Sequence, residues 1–141
     1  MNARELDIVV CGGSSDAHTW NLVYLQLILE DSGHRVRNMG PCVTPDALLR
    51  ECVHHMPDLI VIGTVNGHGR IDGMRTIAEV RDHPELARTP IVLGGNLGVS
   101  GAEDAAAGKE LERAGFDAVF HGPGAIPEFR DFVAALPHGA V

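Results

Sequence analysis

Residues 6–18 have the sequence LDIVVCGGSSDAH, and this stretch decides the fold of the 141-residue chain. Its apolar part, residues 6–11, is typical of a buried strand, and the glycines and serines after it are typical of the loop at the strand's carboxyl end. Residues two apart in an extended segment project to the same side, so the carboxylate of Asp16 can reach one ring nitrogen of His18. A carboxylate in that position fixes the histidine's tautomer and leaves its other nitrogen to bind a metal. The pattern also fits an exposed loop histidine beside an acid.

Strand-like runs alternate with helical patterns along the chain. Strands are predicted at residues 6–11, 35–39, 58–62, 90–93 and 117–120, and helices at residues 19–32, 45–55, 70–84, 103–114 and 126–136. This alternation predicts an α/β, Rossmann-like fold in which helices cover both faces of a parallel sheet. Five strands of this kind indicate the flavodoxin-like order 2-1-3-4-5. The length predicts a single domain over residues 1–141.

The composition argues against several kinds of partner. The formal net charge is -8 and no cluster of lysines and arginines is present, which argues against binding to nucleic acid or to a membrane surface. Because the sequence shows neither a signal-like start nor a run of about 18 apolar residues, we expect a cytoplasmic protein. Cys11, Cys42 and Cys52 lack the C-x-x-C spacing of zinc and redox sites and are predicted to be buried free thiols.

The predicted helix at residues 19–32 carries two apolar stripes on different faces. One stripe consists of Trp20, Val23, Tyr24 and Leu27, and the other consists of Leu22, Leu25 and Leu29. A helix that is apolar on most sides needs cover on most sides, and one stripe can pack on the sheet. We hypothesise that the other stripe meets a partner chain or a large ligand. The alternative is that neighbouring loops and helices cover it.

Ligands of open α/β sheets bind outside the carboxyl ends of the strands, where the strand order reverses. Glycine-rich loops follow three neighbouring predicted strands, at residues 12–18, 63–69 and 94–98, and glycines let the backbone approach a large ligand closely. The first loop, with GGSS at residues 12–15, matches neither the dinucleotide fingerprint nor a P-loop. The third strand ends without the phosphoacceptor aspartate of a receiver domain. His68 and His121 lie at strand ends and are further candidates for ligand contact.

The strand ends resemble the cobalamin-binding domain family, whose pattern is Asp-x-His-x-x-Gly, then Ser-x-Leu after strand three, then Gly-Gly after strand four. This chain has DAHTWN at residues 16–21, GTV at residues 63–65 and GG at residues 94–95. The resemblance covers essentially the whole chain. The chain is similar in particular to the small subunit of glutamate mutase (methylaspartate mutase), whose glycine-rich loop resembles NGHGRIDG at residues 66–73.

The resemblance implies a function and a mechanism. His18 is then the lower axial ligand of cobalt in adenosylcobalamin, in place of dimethylbenzimidazole, with Asp16 hydrogen-bonded behind it, and the displaced nucleotide tail lies in a slot beside the strands. The implied reaction is a radical rearrangement of glutamate or a related amino acid, begun by homolysis of the cobalt–carbon bond. The implied partner is a larger, barrel-type mutase subunit that holds the substrate, so this chain alone is expected to be inactive.

Two other functions remain open from the sequence. One is a non-catalytic cobalamin carrier or sensor, and the other is a flavodoxin-like module that binds no cobalamin. For the cobalamin-binding functions, His18 is the expected metal ligand. The expected cofactor contacts are Ser14, Ser15, Asp16, Ala17, His18, Thr19, Asn21, Gly63, Thr64, Val65, Gly67, His68, Gly94, Gly95, His121, Gly122 and Pro123.

Three positions depart from the family pattern. Asn21 stands where the family has glycine, Gly63 stands where it has serine, and Val65 replaces leucine. The missing serine hydroxyl is worth about 1 kcal/mol as a hydrogen bond to the tail. Asn21 can replace glycine by hydrogen-bonding backbone or ligand, or it can narrow the tail channel. We therefore expect altered affinity for cobalamin.

Overall fold

The computed structural model describes residues 5–65, 68–95, 101–122 and 124–136, with the backbone alone for residues 101–104. Strands and helices alternate in the order β1 (Asp7–Gly12), α1 (Trp20–Asp31), β2 (Arg35–Gly40), α2 (Pro45–His55), β3 (Leu59–Thr64), α3 (Gly69–Asp82), β4 (Ile91–Gly95), α4 (Gly101–Ala114), β5 (Ala118–Phe120) and α5 (Ala125–Ala135). Each predicted element is present, and its ends agree with the prediction to within two residues. The periodic pattern therefore placed every element.

The ends of the helices follow from local chemistry. α2 begins at Pro45 because Thr44 accepts a hydrogen bond from the backbone N–H of Ala47 through Oγ1, at 3.2 Å, and proline fits the first helical position. The helices α1 and α4 end before Gly33 and Gly115, whose φ angles are +94° and +134°. Glycine adopts this left-handed region without a Cβ penalty, which explains the stops.

The strands form one parallel sheet in the order β2-β1-β3-β4-β5, which confirms the predicted flavodoxin-like topology. In the register of β3 and β4, Val61 lies opposite Val92, and Gly63 lies opposite Gly94. Residues two apart on a strand share a face. The two valines and the two glycines therefore lie on one face of the sheet, with the glycines nearer the carboxyl ends.

Three helices cover one face of the sheet and two cover the other. On the first face, strand residues pack with α2, α3 and α4, through side chains such as Leu48, Ile77 and Leu111. On the second face, strand residues pack with α1 and α5, through side chains such as Leu22 and Phe129. We name these the α2–α4 face and the α1/α5 face.

The two stripes of α1 have different surroundings. Leu22 and Leu29 are each 1% exposed and pack on the sheet, so the prediction that one stripe packs there is confirmed. In the other stripe, Trp20 is 82%, Tyr24 is 54% and Leu27 is 58% exposed. Cover of these three side chains by neighbouring elements was the wrong alternative. Their contact with a partner or ligand stays a prediction.

The cysteines divide into two groups. Cys11 and Cys52 are buried, as predicted, and burial raises the pKa of each thiol to about 12. The prediction was wrong for Cys42, which is exposed. Cys42 lies in the loop between β2 and α2 with a φ of +54°, outside the hydrophobic packing of either element. Among the described helices, none is long and apolar enough to cross a membrane.

Candidate functional site

Asp16 and His18 form a hydrogen-bonded pair just beyond β1. Asp16 is 1% exposed, whereas the side chain of His18 is 59% exposed. Asp16 Oδ1 accepts hydrogen bonds from the backbone N–H of His18 at 3.0 Å and from His18 Nδ1 at 2.8 Å. Since the carboxylate accepts, Nδ1 carries the proton, and Nε2 is the nitrogen with a lone pair available to a metal. The loop therefore presents one histidine in a fixed tautomer.

The second carboxylate oxygen of Asp16 is held by the end of β3. Oδ2 accepts hydrogen bonds from Thr64 Oγ1 at 3.1 Å and from the backbone N–H of Val65 at 2.7 Å. Burial works to raise the pKa of Asp16, but the hydrogen bonds from Val65, His18 and Thr64 outweigh it and lower the pKa to about 2. The Asp16 carboxylate is therefore ionised at neutral pH, and it connects His18 to β3.

The loop before Asp16 is anchored by Asp72, in the first turn of α3. Asp72 is 4% exposed and accepts hydrogen bonds from Ser14 Oγ at 3.2 Å, from the backbone N–H of Ser15 at 3.1 Å and from Ser15 Oγ at 2.6 Å. A Cβ on Gly13 would lie 2.9 Å from Asp72 Oδ2, so glycine lets the two segments approach. Sequence reasoning missed Asp72. An acid in a helix's first turn, facing a serine-rich loop, is the signal that could have found it.

A cavity of about 160 Å³ opens between α1 and α5, over the carboxyl ends of β3 and β4. We call it the slot. It is lined by Asn21, Tyr24, Leu25, Val61, Ile62, Gly63, Thr64, Val65, Val92, Gly94, Gly95, Phe120, Ala125, Ile126 and Phe129. Its walls are mainly apolar and aromatic. Thr64 and Val65 line the slot and also hold Asp16, so the slot and His18 belong to one site.

The two glycines at the end of β4 have different roles. Gly95 has a φ of +120°, and a Cβ there would collide with the carbonyl oxygen of Thr64, so the backbone itself requires glycine. A Cβ on Gly94 would lie 3.4 Å from the nearest heavy atom, the carbonyl oxygen of Phe120, and therefore fits. Glycine at position 94 instead keeps the floor of the slot without a side chain.

Asn21 and Gly63 are in direct contact in the wall of the slot. A Cβ on Gly63 would lie 2.9 Å from Asn21 Nδ2 and 3.1 Å from Leu25 Cδ1. Asn21 Oδ1 is buried and has no hydrogen-bond partner among the residues that the structure describes. The amide of Asn21 therefore fills the space above Gly63 and carries an unmet acceptor.

The structure brings many of the sequence-predicted site residues together. Asn21, Gly63, Thr64, Val65, Gly94 and Gly95 line the slot, and Ser14, Ser15, Asp16, Ala17, His18 and Thr19 form the loop beside it. His68 Nδ1 lies 3.4 Å from Ser15 Oγ, next to the same loop.

Other predicted residues lie outside this group. His121 packs towards Gly108 of α4 and, like the exposed Gly122, is not a residue of the slot lining. Gly67 and Pro123 lie outside the described residues. Sequence reasoning missed the apolar walls, among them Tyr24, Leu25, Phe120, Ile126 and Phe129. Their apolar spacing predicts core packing, and the sequence alone does not separate core from slot lining.

Comparison with known proteins agrees with this fold. The family model of the B12 binding domain matches residues 6–130, and the chain belongs to this family. Within it, the chain is 26% identical over 125 residues to the glutamate mutase sigma subunit of Carboxydothermus hydrogenoformans, covering 89% of this chain and 90% of that subunit. It is 30% identical over 122 residues to the glutamate mutase sigma subunit of Escherichia coli O157:H7, covering 85% of this chain and 78% of that subunit.

A solved structure shows the same fold. The chain superimposes on a cobalamin-binding protein from Desulfitobacterium hafniense DCB-2 with a TM-score of 0.72 and 15% sequence identity. The match covers 92% of this chain and 59% of that protein, so this chain spans less than two thirds of its length. At this identity the likeness concerns the fold alone.

Proposed function

We propose that this chain is the cobalamin-binding subunit of an adenosylcobalamin-dependent carbon-skeleton mutase of the glutamate mutase type. The observation that carries the proposal is the Asp16–His18 pair, hydrogen-bonded at 2.8 Å, beside an apolar slot at the carboxyl ends of β3 and β4. Membership of the B12 binding domain family supports the cofactor, and the glutamate mutase sigma subunits among the relatives support the reaction.

The residues of the site fit a corrin. A corrin ring already supplies the equatorial ligands of its cobalt, so the protein needs to supply one axial ligand, and His18 offers one through Nε2. The slot has an apolar lining and, at Gly94, a floor without a side chain, which suits a flat aromatic base. In this proposal, the nucleotide tail of the cofactor occupies the slot and His18 takes the place of its base on the metal.

Each residue then has a defined task. Asp16 holds the proton on His18 Nδ1, which keeps the Nε2 lone pair available. Thr64 and Val65 hold Asp16 in place, and Asp72 holds Ser14 and Ser15. Bound adenosylcobalamin supplies radical chemistry through its cobalt–carbon bond. This chain supplies ligation and position.

The remaining parts of the proposal concern the assembly. The substrate is glutamate, rearranged to 3-methylaspartate, or a related amino acid, and a separate, larger barrel-type subunit holds it. The name "sigma subunit" of the relatives supports a partner subunit. We propose that residues 1–141 form a single domain, that this domain is inactive alone and that the complex works in the cytoplasm.

The first test is electron paramagnetic resonance of the chain reconstituted with cob(II)alamin of natural isotopic abundance. Protein labelled with ¹⁵N should change the superhyperfine splitting from the axial nitrogen, because that nitrogen belongs to His18. His18→Ala should remove the change, whereas His54→Ala, on the exposed end of α2, should keep it. A splitting that does not change when the protein is labelled would mean that cobalamin retains its own base, and it would overturn the role of His18. No bound corrin at all would favour a module that does not bind cobalamin.

The second test addresses catalysis. Purified large subunit of a glutamate mutase, adenosylcobalamin, glutamate and this chain should together form 3-methylaspartate, and omission of either protein should abolish it. The chain could bind a corrin and yet rearrange neither glutamate nor related amino acids in the presence of such partners. This result would favour the alternative function, a non-catalytic cobalamin carrier or sensor.

A further inference from the structure

The wall of the slot contains a buried polar atom that makes no hydrogen bond to the part of the chain that the structure describes. Of the polar side chains in the lining, Thr64 donates its hydroxyl to Asp16, and Tyr24 is more than half exposed. Asn21 differs, because its Oδ1 is buried without a hydrogen-bond partner among the described residues. A buried acceptor of this kind is unfavourable unless a ligand or a water molecule supplies a donor.

The Asn21 amide keeps its position because residue 63 has no side chain. With 2.9 Å between Asn21 Nδ2 and the place of a Cβ on residue 63, any side chain there would displace the amide. Leu22 and Leu25 close the other sides of the same space, at 3.2 and 3.1 Å. Glycine at position 63 therefore leaves the Asn21 amide in the wall of the slot.

We propose that Asn21 is the residue that selects the occupant of the slot, by accepting a hydrogen bond from an O–H or N–H group of the nucleotide tail of a corrinoid. This inference rests on the proposed function, since it places the tail in the slot. The ribose hydroxyl is one source of such a donor, and the exocyclic amine of an adenine base is another. Asn21 is thus a specificity residue of the tail and takes no part in cobalt ligation.

The test compares corrinoids with and without the tail. The chain has one tryptophan, Trp20, which is close in sequence to His18, so quenching of its fluorescence by a bound corrin measures affinity. Asn21→Ala should weaken cobalamin binding by about threefold to tenfold, the effect of one neutral hydrogen bond. Binding of cobinamide, which lacks the nucleotide tail, should remain unchanged. Equal losses for cobalamin and cobinamide, or no loss for any corrinoid that carries a nucleotide tail, including the adenine-containing analogue, would overturn the inference.

A third corrinoid distinguishes the two sources of the donor. If Asn21→Ala weakens cobalamin and the adenine-containing analogue equally, the donor is the ribose hydroxyl, which both share. If it weakens the adenine analogue alone, the donor is the base amine. Either result supports selection by Asn21.

A double-mutant cycle tests the spatial pairing and guards against misfolding. Gly63→Ser should weaken cobalamin binding, because the new side chain displaces the Asn21 amide. Combination with Asn21→Gly, which empties that space, should restore most of the thermal unfolding midpoint, whereas cobalamin binding should stay weaker than in the wild type because the Asn21 acceptor is absent. Additive losses of thermal stability would contradict the pairing.

The outcomes separate this inference from the proposed function. Wild-type protein that binds no corrin would overturn both. Wild-type protein that binds cobalamin through His18, as the isotope experiment measures it, but responds to none of the Asn21 and Gly63 substitutions would overturn this inference alone.

Discussion

The α2–α4 face and the α1/α5 face share one sheet but differ at its carboxyl edge. On the α2–α4 face, Ile62 and Leu93 continue the hydrophobic core to the strand ends, and Leu93 is fully buried. On the α1/α5 face, the positions next to them are Gly63 and Gly94, and the space above becomes the slot. One face is built for stability up to the edge. The other face has no side chains at these two positions, and a cavity replaces the packing there.

The two faces should differ most in how much free energy of unfolding is lost when a leucine is replaced by alanine. Leu111 of α4 is fully buried on the α2–α4 face, so Leu111→Ala should lower the free energy of unfolding by about 2–5 kcal/mol. Leu25→Ala should lower the free energy of unfolding by less, because it widens a cavity that already exists. Urea denaturation of the two variants measures both values. Equal losses would remove the distinction between the faces.

The next effect concerns the two glycines at the end of β4. Gly95→Ala should lower the free energy of unfolding by about 3 kcal/mol, since it combines a left-handed φ with a collision at Thr64. Gly94→Ala is the matched control: it should change the stability by less than about 1 kcal/mol but weaken corrin binding, because the methyl group enters the slot. A Gly94→Ala variant that binds corrin normally would show that the floor of the slot tolerates side chains.

Acid should act on the carboxyl edge of the sheet through Asp16. Its pKa falls from 3.8 to about 2 on folding, so its stabilising effect is complete above about pH 4 and disappears as the pH falls towards 2. The shift corresponds to about 2 kcal/mol. The difference in unfolding free energy between wild type and Asp16→Asn should therefore shrink between pH 6 and pH 3. A difference that stays constant over this range would contradict the pKa shift.

The smallest expected effect concerns the reactivity of the cysteines, which reports whether the core of the α2–α4 face stays closed. Cys11 and Cys52 lie in the core of the α2–α4 face, and burial raises the pKa of each to about 12, so iodoacetamide should reach neither in the native protein. Exposed Cys42 should be alkylated. Mass spectrometry of the native chain should show one modification. Rapid modification of all three would mean that this core opens easily.

The sequence predicted the fold and one part of the site, for a physical reason that the rest of the site lacks. Strand and helix periodicity is local, and Asp16 and His18 are two positions apart, so both are visible along the chain. The contact between Ser15 and Asp72 joins residues 57 positions apart. The slot depends on where Asn21 and Gly63 meet, which only the packing of α1 on the sheet determines. The substitutions at these two positions looked like separate losses in the sequence, and their spatial pairing became visible in the structure.

The anchoring of the β1–α1 loop by Asp72 has a kinetic consequence. Because three hydrogen bonds from Ser14 and Ser15 end on that carboxylate, the loop before His18 has its shape in the chain without any ligand. The conformational entropy of this segment is lost when the chain folds, and a ligand does not have to order it again. No slow ordering of this loop then precedes the encounter of the histidine with a ligand.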